Sequence, residues 1–274
     1  MCSDDLKKTI YDLFEKHHIR LTPSDLERLV CRSRPDYSRR TVRSAIKEMV
    51  IERTLSYSNH FNTTHLEMNF CRPVRVSPRI VLTPHGQTGA PSDDKTHTIQ
   101  LLQGCAFGIG DHPTTRLALR AVDNVMARIM AKGLTIGIRA LDIGTGSGVL
   151  AMAATKLGAE EVVAVDIDRL AIHEARMNVH LNDMDRAIVI TDQPIENLAD
   201  APFDLILANL RPPTLKQILP RVEALSSKNC HWIISGFRQD AIQDAARILP
   251  RIKTEIISCE AACGWAAMTV RYFA

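Results

Sequence analysis

The sequence lacks several features that mark particular classes of protein. Its 274 residues include 7 cysteines with no regular spacing, and no uninterrupted apolar stretch is long enough to span a bilayer. The segment from Met1 to Asp5 does not resemble a signal peptide, so we expect a cytoplasmic protein with reduced thiols and no membrane partner. A net charge of +3 is too small to indicate nucleic acid unless the cations cluster. The hydrophobic content of 45% is typical of a globular chain with a sizeable core, in one large domain or two ordinary ones.

A glycine-rich stretch at 141–148 (LDIGTGSG) organises the second half of the chain. Apolar residues precede it and a helical pattern follows, which predicts a strand, a turn too tight for side chains, and a helix. The turn contains three glycines, Gly144, Gly146 and Gly148, where a ligand can approach bare backbone. Asp142 can orient water or an ammonium group. Asp166 ends the next predicted strand about 20 residues later, where a carboxylate suits the two hydroxyls of a ribose.

The glycine spacing separates two classes of nucleoside ligand. The dinucleotide pattern G-x-G-x-x-G requires glycine at position 149, where this chain has Val149. The pattern present is G-x-G-x-G after an aspartate, as in Rossmann-like enzymes that use S-adenosylmethionine (SAM). SAM has no pyrophosphate, so the turn need only admit its methionine end and ribose. We therefore expect SAM as the cofactor, and we expect no metal, because the cysteines and histidines lack paired C-x-x-C spacing.

The first seventy residues predict a small separate fold. Apolar residues at helical spacing give a first helix, Thr22 caps a second helix that opens at Pro23, and Ser38 caps a third. Two short strand-like runs follow at 54–61 and 65–70. Three helices and a hairpin in this order look like a winged helix. We therefore expect a winged-helix-like α+β domain over residues 1–71.

One face of the third predicted helix is basic. Arg39, Arg43 and Lys47 recur every four residues, and Arg40 lies beside them. In a winged helix this is the recognition helix, which contacts nucleic-acid phosphate. Nearby acidic residues nearly balance these cations, and winged helices also dock proteins. The domain is interpreted as a substrate-recruitment or docking domain, and its partner stays open between nucleic acid and protein.

Residues 72–103 read as an extended connector with edge strands, because a proline-containing segment leads into the apolar run Ile80–Leu82. A shaped loop follows at 106–119 (AFGIGDHPTTRLAL), in which Thr114 or Thr115 can cap a helix that runs to Met130. This loop precedes the strand of the glycine turn. It could therefore close over a ligand that lies on that turn.

Residues 72–274 resemble the PrmA family, the methyltransferases of a large-subunit ribosomal protein (L-eleven). The family patterns are A-F-G-T-G-x-H-P-T-T-x-L, L-D-x-G-x-G-S-G, V-x-A-V-D-I-D and A-N-I. Matching residues stand at 106–117, 141–148, 162–168 and 208–210, with two departures: Ile109 replaces the family's usual threonine, and residues 210–213 (LRPP) follow Asn209 where the family has apolar and small residues. The resemblance implies SAM contacts from Thr115, Gly144, Asp166 and Asn209. The family's N-terminal domain is ferredoxin-like, unlike the winged-helix pattern here, so the resemblance covers the cofactor half and not the methyl acceptor.

Strands and helices alternate after the glycine turn, which predicts an α/β fold with a mainly parallel sheet over residues 104–274. Asp192 ends one predicted strand, where it can accept from an adenine amine or be a solvated turn residue. Asn209 ends another, at the edge of the sheet where ligands bind. Its side-chain oxygen can accept from an amine, and the alternative is an Asx turn or a helix cap. The PrmA resemblance adds an antiparallel last strand.

The whole sequence predicts a Rossmann-like, SAM-dependent N-methyltransferase, and the resemblance points to a protein substrate of the ribosomal lysine type. Asn209 is the predicted catalytic residue. The predicted cofactor-binding residues are Phe107, Gly108, Thr114, Thr115, Asp142, Gly144, Gly146, Gly148, Asp166, Ile167, Asp192 and Asn209. The alternatives are the same chemistry on RNA or a small molecule, and a non-catalytic regulator that senses SAM and binds nucleic acid.

Overall fold

The structure is a computed structural model of the 274-residue chain. It describes residues 2–17, 21–52, 54–60, 63–68, 73–87, 95–102, 107–108, 110, 112–131, 133, 137–199, 202–249 and 253–273. The chain divides into two compact units, Met1–Cys71 and Arg72–Ala274, each with its own apolar core. Within the described ranges, no helix is both long and apolar enough to cross a membrane.

The N-terminal unit packs three helices and a hairpin around one core. Its elements are α1 (Cys2–His17), α2 (Pro23–Ser33), α3 (Arg39–Ile51), β1 (Leu55–His60) and β2 (Thr63–Met68). The two strands pair antiparallel, and Leu21 forms an isolated antiparallel bridge with Leu66. The core collects the apolar faces of the helices together with Leu21, Leu55 and Leu66. The helices and the hairpin are therefore present as predicted, and the winged-helix assignment stays a prediction.

Both predicted N-caps of this unit are present. The Thr22 hydroxyl accepts from the Asp25 N–H at 3.2 Å, and the Ser38 hydroxyl accepts from the Thr41 N–H at 3.1 Å. Each cap satisfies a backbone donor that the first turn of a helix leaves unpaired, which fixes where α2 and α3 begin.

A three-stranded sheet opens the second unit. Its strands are β3 (Val74–Arg75), β4 (Ile80–Pro84) and β5 (His97–Leu101). β4 lies in the middle, antiparallel to β3 and parallel to β5, and all five of its residues are buried. The apolar run at 80–82 is therefore a central strand and not an edge strand. The sequence did not reveal this because one of its partners, β5, begins only at His97.

A seven-stranded sheet forms the rest of the second unit, in the order β11–β12–β10–β9–β6–β7–β8. The strands are β6 (Arg139–Ile143), β7 (Glu161–Val165), β8 (Ile188–Thr191), β9 (Phe203–Asn209), β10 (Ser226–Arg238), β11 (Thr254–Ala262) and β12 (Trp265–Tyr272). Strands β6 to β10 run parallel, whereas β12 is antiparallel to both of its neighbours. The predicted α/β class, the mainly parallel sheet and the antiparallel last strand are confirmed.

The helices of this unit connect the strands. They are α4 (Pro113–Ala131), α5 (Val149–Lys156), α6 (Arg169–Leu181), α7 (Pro212–Ala224) and α8 (Ile242–Arg247). The last helix, α8, is short; a 3-10 turn at Gln239–Ala241 precedes it and it ends at Arg247. β6 pairs with β7 on one side and with β9 on the other, so the strand order reverses at β6. In open α/β sheets, ligands bind at the carboxyl edge beside such a reversal.

Candidate functional site

The turn between β6 and α5 contains three glycines whose backbone conformations other residues rarely adopt. Gly144, Gly146 and Gly148 have φ angles of 70°, 55° and 81°. A Cβ atom on Gly146 would collide with the carbonyl oxygen of Phe107. The turn therefore needs glycine at this position, because another segment of backbone lies directly on it.

That segment, residues 107–108, is called the covering segment below. The Ser147 N–H donates to the Phe107 oxygen at 2.9 Å, and the Ser147 hydroxyl donates to the Gly108 oxygen at 3.0 Å. The Phe107 side chain remains 52% exposed, and its ring lies 5.1 Å from the ring of His112. The structure thus places Phe107 and Gly108 on the glycine turn, as a loop that closes over a ligand would require.

Asp166 follows β7 and shapes the same turn. Its Oδ2 accepts from the Gly146 N–H at 2.9 Å, and its Oδ1 accepts from the Asp168 N–H at 3.0 Å. Each carboxylate oxygen keeps a further lone pair, since an ionised carboxylate offers about four acceptor positions. Ile167, the next residue, is 91% exposed. Of these two residues, Asp166 is the one that contacts the glycine turn.

Asp142, at the penultimate position of β6, is fully buried beneath the turn. Its Oδ2 accepts from the Thr145 hydroxyl at 2.7 Å and from the Ala151 N–H at 3.2 Å. Burial raises the pKa of the Asp142 carboxyl to about 7, although both of these hydrogen bonds oppose the rise. A buried carboxyl that titrates near neutral pH is typical of a ligand site, although structural networks also shift pKa values.

The first turn of α4 holds Thr114 and Thr115, but neither caps the helix. The Nδ1 atom of His112 accepts from the Thr114 N–H at 3.2 Å, and the His112 carbonyl accepts from the Thr115 N–H at 3.1 Å. His112 is thus the residue before the helix, and Pro113 occupies the first helical position. The predicted threonine cap is wrong because Pro113 already has the φ of a first helical residue, which moves the cap to His112. Both threonines are buried inside the helix.

Asn209 ends β9 beside Ser235 of β10. The next residue, Leu210, donates its N–H to the Ser235 oxygen at 3.0 Å. A Cβ atom on Gly236, whose φ is 94°, would lie 2.5 Å from the Leu210 oxygen, so the end of β10 also needs glycine. Arg211 precedes α7 without a side-chain cap bond, and Asn209 does not cap this helix. The amide of Asn209 is therefore not used as a helix cap.

Three unpartnered polar atoms mark this edge of the sheet. Among the described residues, six buried side-chain polar atoms have no hydrogen-bond partner, and three of them are Thr115 Oγ1, Asp142 Oδ1 and Asn209 Oδ1. Leaving such an atom buried and unpaired costs about 1–3 kcal/mol. These atoms come from α4, β6 and β9, and all three residues are among the predicted cofactor-binding residues. A polar ligand on the glycine turn would supply the missing partners, so the residues present fit SAM.

Asp192 follows β8, and β7 separates this strand from β6 in the sheet. Its side chain is exposed, and within the described part of the chain no hydrogen bond joins it to the other site residues. The structure therefore leaves Asp192 at the same edge of the sheet, without linking it to the glycine turn.

Two asparagines on α6, the buried Asn178 and the half-buried Asn182, were not predicted as site residues. The Asn178 amide donates to the Ser147 oxygen at 2.9 Å and accepts from the Leu102 N–H at 2.9 Å. Asn182, one helical turn later, pairs with both backbone groups of Gln100 at 2.9 and 2.7 Å. They fasten the end of β5 to the glycine turn. The available signal was a pair of amides four residues apart on one helix, a spacing that places them on one face.

Comparisons with known proteins show which family this chain resembles. Residues 46–272 match the family model described as ribosomal protein L11 methyltransferase (PrmA). A ribosomal protein L11 methyltransferase of Exiguobacterium sibiricum is 32% identical over 195 residues, which cover 70% of this chain and 59% of the relative. One from Pelobacter propionicus is 40% identical over 165 residues, covering 60% and 52%. The chain thus spans between half and three fifths of the length of these relatives.

A solved structure shares the fold. The ribosomal protein L11 methylase of Lactobacillus delbrueckii subsp. bulgaricus superimposes with a TM-score of 0.65 at 28% sequence identity, covering 74% of this chain and all of that one. The family match extends from α3 to β12, so it includes every predicted site residue.

Proposed function

The chain belongs to the PrmA family of SAM-dependent methyltransferases, and from this premise we propose that it transfers a methyl group from SAM to an amine of a ribosomal protein. The observation that carries the proposal is the set of three buried, unpartnered polar atoms on Thr115, Asp142 and Asn209, which come from the first turn of α4, the end of β6 and the end of β9. The substrate class is supported by the relatives, which are named as methyltransferases of a ribosomal protein.

Each site residue has a proposed task in binding. The free lone pairs of Asp166 accept the ribose hydroxyls, and the bare backbone at Gly144–Gly148 lets the ligand lie close to the turn. Asp142 Oδ1 and Thr115 Oγ1 receive polar groups of the methionine end. The covering segment excludes water from one side, since it is held on the turn by Ser147.

Asn209 is the proposed catalytic residue. Its Oδ1 is buried and unpartnered, so it can accept a hydrogen bond from the acceptor amine and direct the nitrogen lone pair at the methyl carbon. When bound, SAM would supply an electrophilic methyl carbon on its sulfonium, to which the amine nitrogen would bond in line as the C–S bond breaks and the thioether leaves. The chain mainly contributes alignment, and well-oriented reactants can gain about 7–11 kcal/mol. A lysine amine must first lose its proton, which a dry site favours by lowering the pKa of the amine.

The domain roles belong to the same proposal. Residues 104–274 form the methyltransferase domain, 72–103 the connector with strands, and 1–71 the docking domain that brings the substrate. The separate apolar core of the N-terminal unit supports an independent role for it. A ribosomal protein as substrate would support the expected cytoplasmic location.

Labelling of a lysate tests the function. Lysate from cells that lack this protein is incubated with the purified chain and methyl-labelled SAM, and protein, RNA and small molecules are then separated. We expect label in a ribosomal protein band with the wild type and with the exposed control Asn197→Ala, and at least tenfold less with Asn209→Ala. Label in RNA or in small molecules would move the acceptor to another class. No label would favour a regulator that senses SAM without turnover.

A further inference from the structure

The basic residues on the exposed surface of α3 cluster on one side of the helix. At about 100° per residue, Arg39, Arg40, Arg43 and Lys47 fall within an arc of about 100° around the helix axis, and all four are exposed. The buried residues of the helix point elsewhere; they are Val42, Ala45, Ile46 and Met49. One side of α3 thus faces the core of the N-terminal unit, and another presents only cations and small or apolar residues.

The acidic residues close to α3 are already engaged. Glu48 and Glu52 fall about 80–120° beyond the last cation of the arc and contact the Lys7 ammonium at 3.0 and 2.7 Å. Glu27 of α2 is buried and accepts two hydrogen bonds from the Arg43 guanidinium, at 2.8 and 2.9 Å. The Arg43 guanidinium lowers the pKa of Glu27, so this pair stays ionised. The Arg43–Glu27 ion pair therefore connects α3 to α2.

The other cations of the arc are available to a partner. In the part of the chain that the structure describes, Arg39, Arg40 and Lys47 form no ion pair with an acidic side chain. The row from Arg39 to Lys47 is about 12 Å long at 1.5 Å per residue, and the major groove of B-DNA is about 12 Å wide. A helix whose axis crosses the groove can therefore place cations at this spacing near the phosphates on both of its sides.

We propose that this face of α3, formed by Arg39, Arg40 and Lys47, binds the phosphate backbone of duplex DNA. Duplex RNA fits less well, because its major groove is too narrow for a helix. Single strands need aromatic platforms, and among the described residues of the N-terminal unit Tyr57 is the exposed aromatic side chain. This inference goes beyond the proposed methyl transfer and does not depend on it.

Fluorescence anisotropy tests the proposal with the full chain and no SAM. The probe is a labelled DNA duplex of about 20 base pairs, close to two helical turns. The test variant is Arg40→Gln with Lys47→Gln, which leaves the Glu27–Arg43 pair intact. The matched control is Lys8→Gln with Arg186→Gln, which removes the same two charges at exposed sites outside the arc.

The salt dependence gives the decisive result. We expect the wild type and the control to bind the duplex, and the test variant to bind about tenfold or more weakly, with a log–log salt slope reduced by about 2. Thermal melting of the test variant should match that of the control, which excludes misfolding. Absence of binding by the wild type would overturn the proposal. So would equal losses in the test and control variants, or tighter binding to an RNA duplex of the same sequence.

Discussion

Replacing Asp142 by asparagine tests the buried carboxyl beneath the glycine turn. Burial raises the pKa of this group from 3.8 to about 7, whereas the unfolded chain loses the proton near pH 4. Between these values the folded chain holds a proton that the unfolded chain has released. Stability therefore falls as pH rises, over about 3 pH units and by about 4 kcal/mol at about 1.4 kcal/mol per unit.

The Asp142→Asn variant removes this pH-dependent loss. Its side-chain oxygen can still accept from Thr145 and Ala151, but the amide NH₂ replaces Oδ1 and has no partner, which costs about 1–3 kcal/mol. We therefore expect the stability of the variant relative to the wild type to rise by about 3 kcal/mol between pH 5 and pH 8, because about 2 pH units of the wild-type loss fall in that range. The difference between the two pH values is the measured quantity, because the cost of the unpaired NH₂ cancels from it.

Urea unfolding at a series of pH values provides the assay. Both tryptophans, Trp232 and Trp265, lie in the second unit, so their fluorescence reports on that unit alone. The exposed control Asp240→Asn should keep the wild-type slope of stability against pH. Equal slopes for Asp142→Asn and the wild type would refute the argument.

Three further predictions concern the second unit. Gly146→Ala should weaken SAM binding at least tenfold in calorimetry, because the new Cβ atom would collide with the covering segment. The control Gly137→Ala should keep the wild-type affinity for SAM, because Gly137 also has a positive φ but has open space around it. Asn209→Ala should lower kcat about 100-fold and change the SAM Kd only a few-fold; a loss confined to SAM affinity would remove Asn209 from the chemistry. Asp123→Ala should destabilise the unit by about 3 kcal/mol, as measured by urea unfolding. The Arg79 guanidinium lies 2.5 Å from the Asp123 carboxylate and is 28% exposed, and the variant removes this carboxylate. A change below about 1 kcal/mol would place the pair with ordinary surface ion pairs.

The glycine turn was predictable because its causes are local. A strand, three glycines and a helix follow one another directly, and Asp166 lies at the end of the adjacent strand. The helix caps at Thr22 and Ser38 were predictable for the same reason, since the cap and its donor lie within three residues. The antiparallel last strand was confirmed too, although it came from the family resemblance and not from the residues.

The contacts that the sequence did not reveal join residues far apart in the chain. Asn178 meets backbone from β5 and from the glycine turn, and no local pattern encodes either partner. The Arg43–Glu27 pair likewise depends on how α2 packs against α3. Counted along the sequence, the acidic residues nearly balance the cations of α3. In the structure, these acidic residues pair with Lys7 and Arg43, and the other three cations of the arc have no acidic partner among the described residues.

Calorimetric titration of SAM into Asp166→Ala tests the assignment of the cofactor site most directly. The control is Asp168→Ala, which removes the neighbouring carboxylate that caps α6 by accepting from the Leu170 N–H at 2.9 Å. The account predicts that the wild type and the control bind one SAM per chain with similar affinity, and that Asp166→Ala loses binding severely. Unchanged affinity in Asp166→Ala would contradict the assignment of the glycine turn and Asp166 as the SAM site.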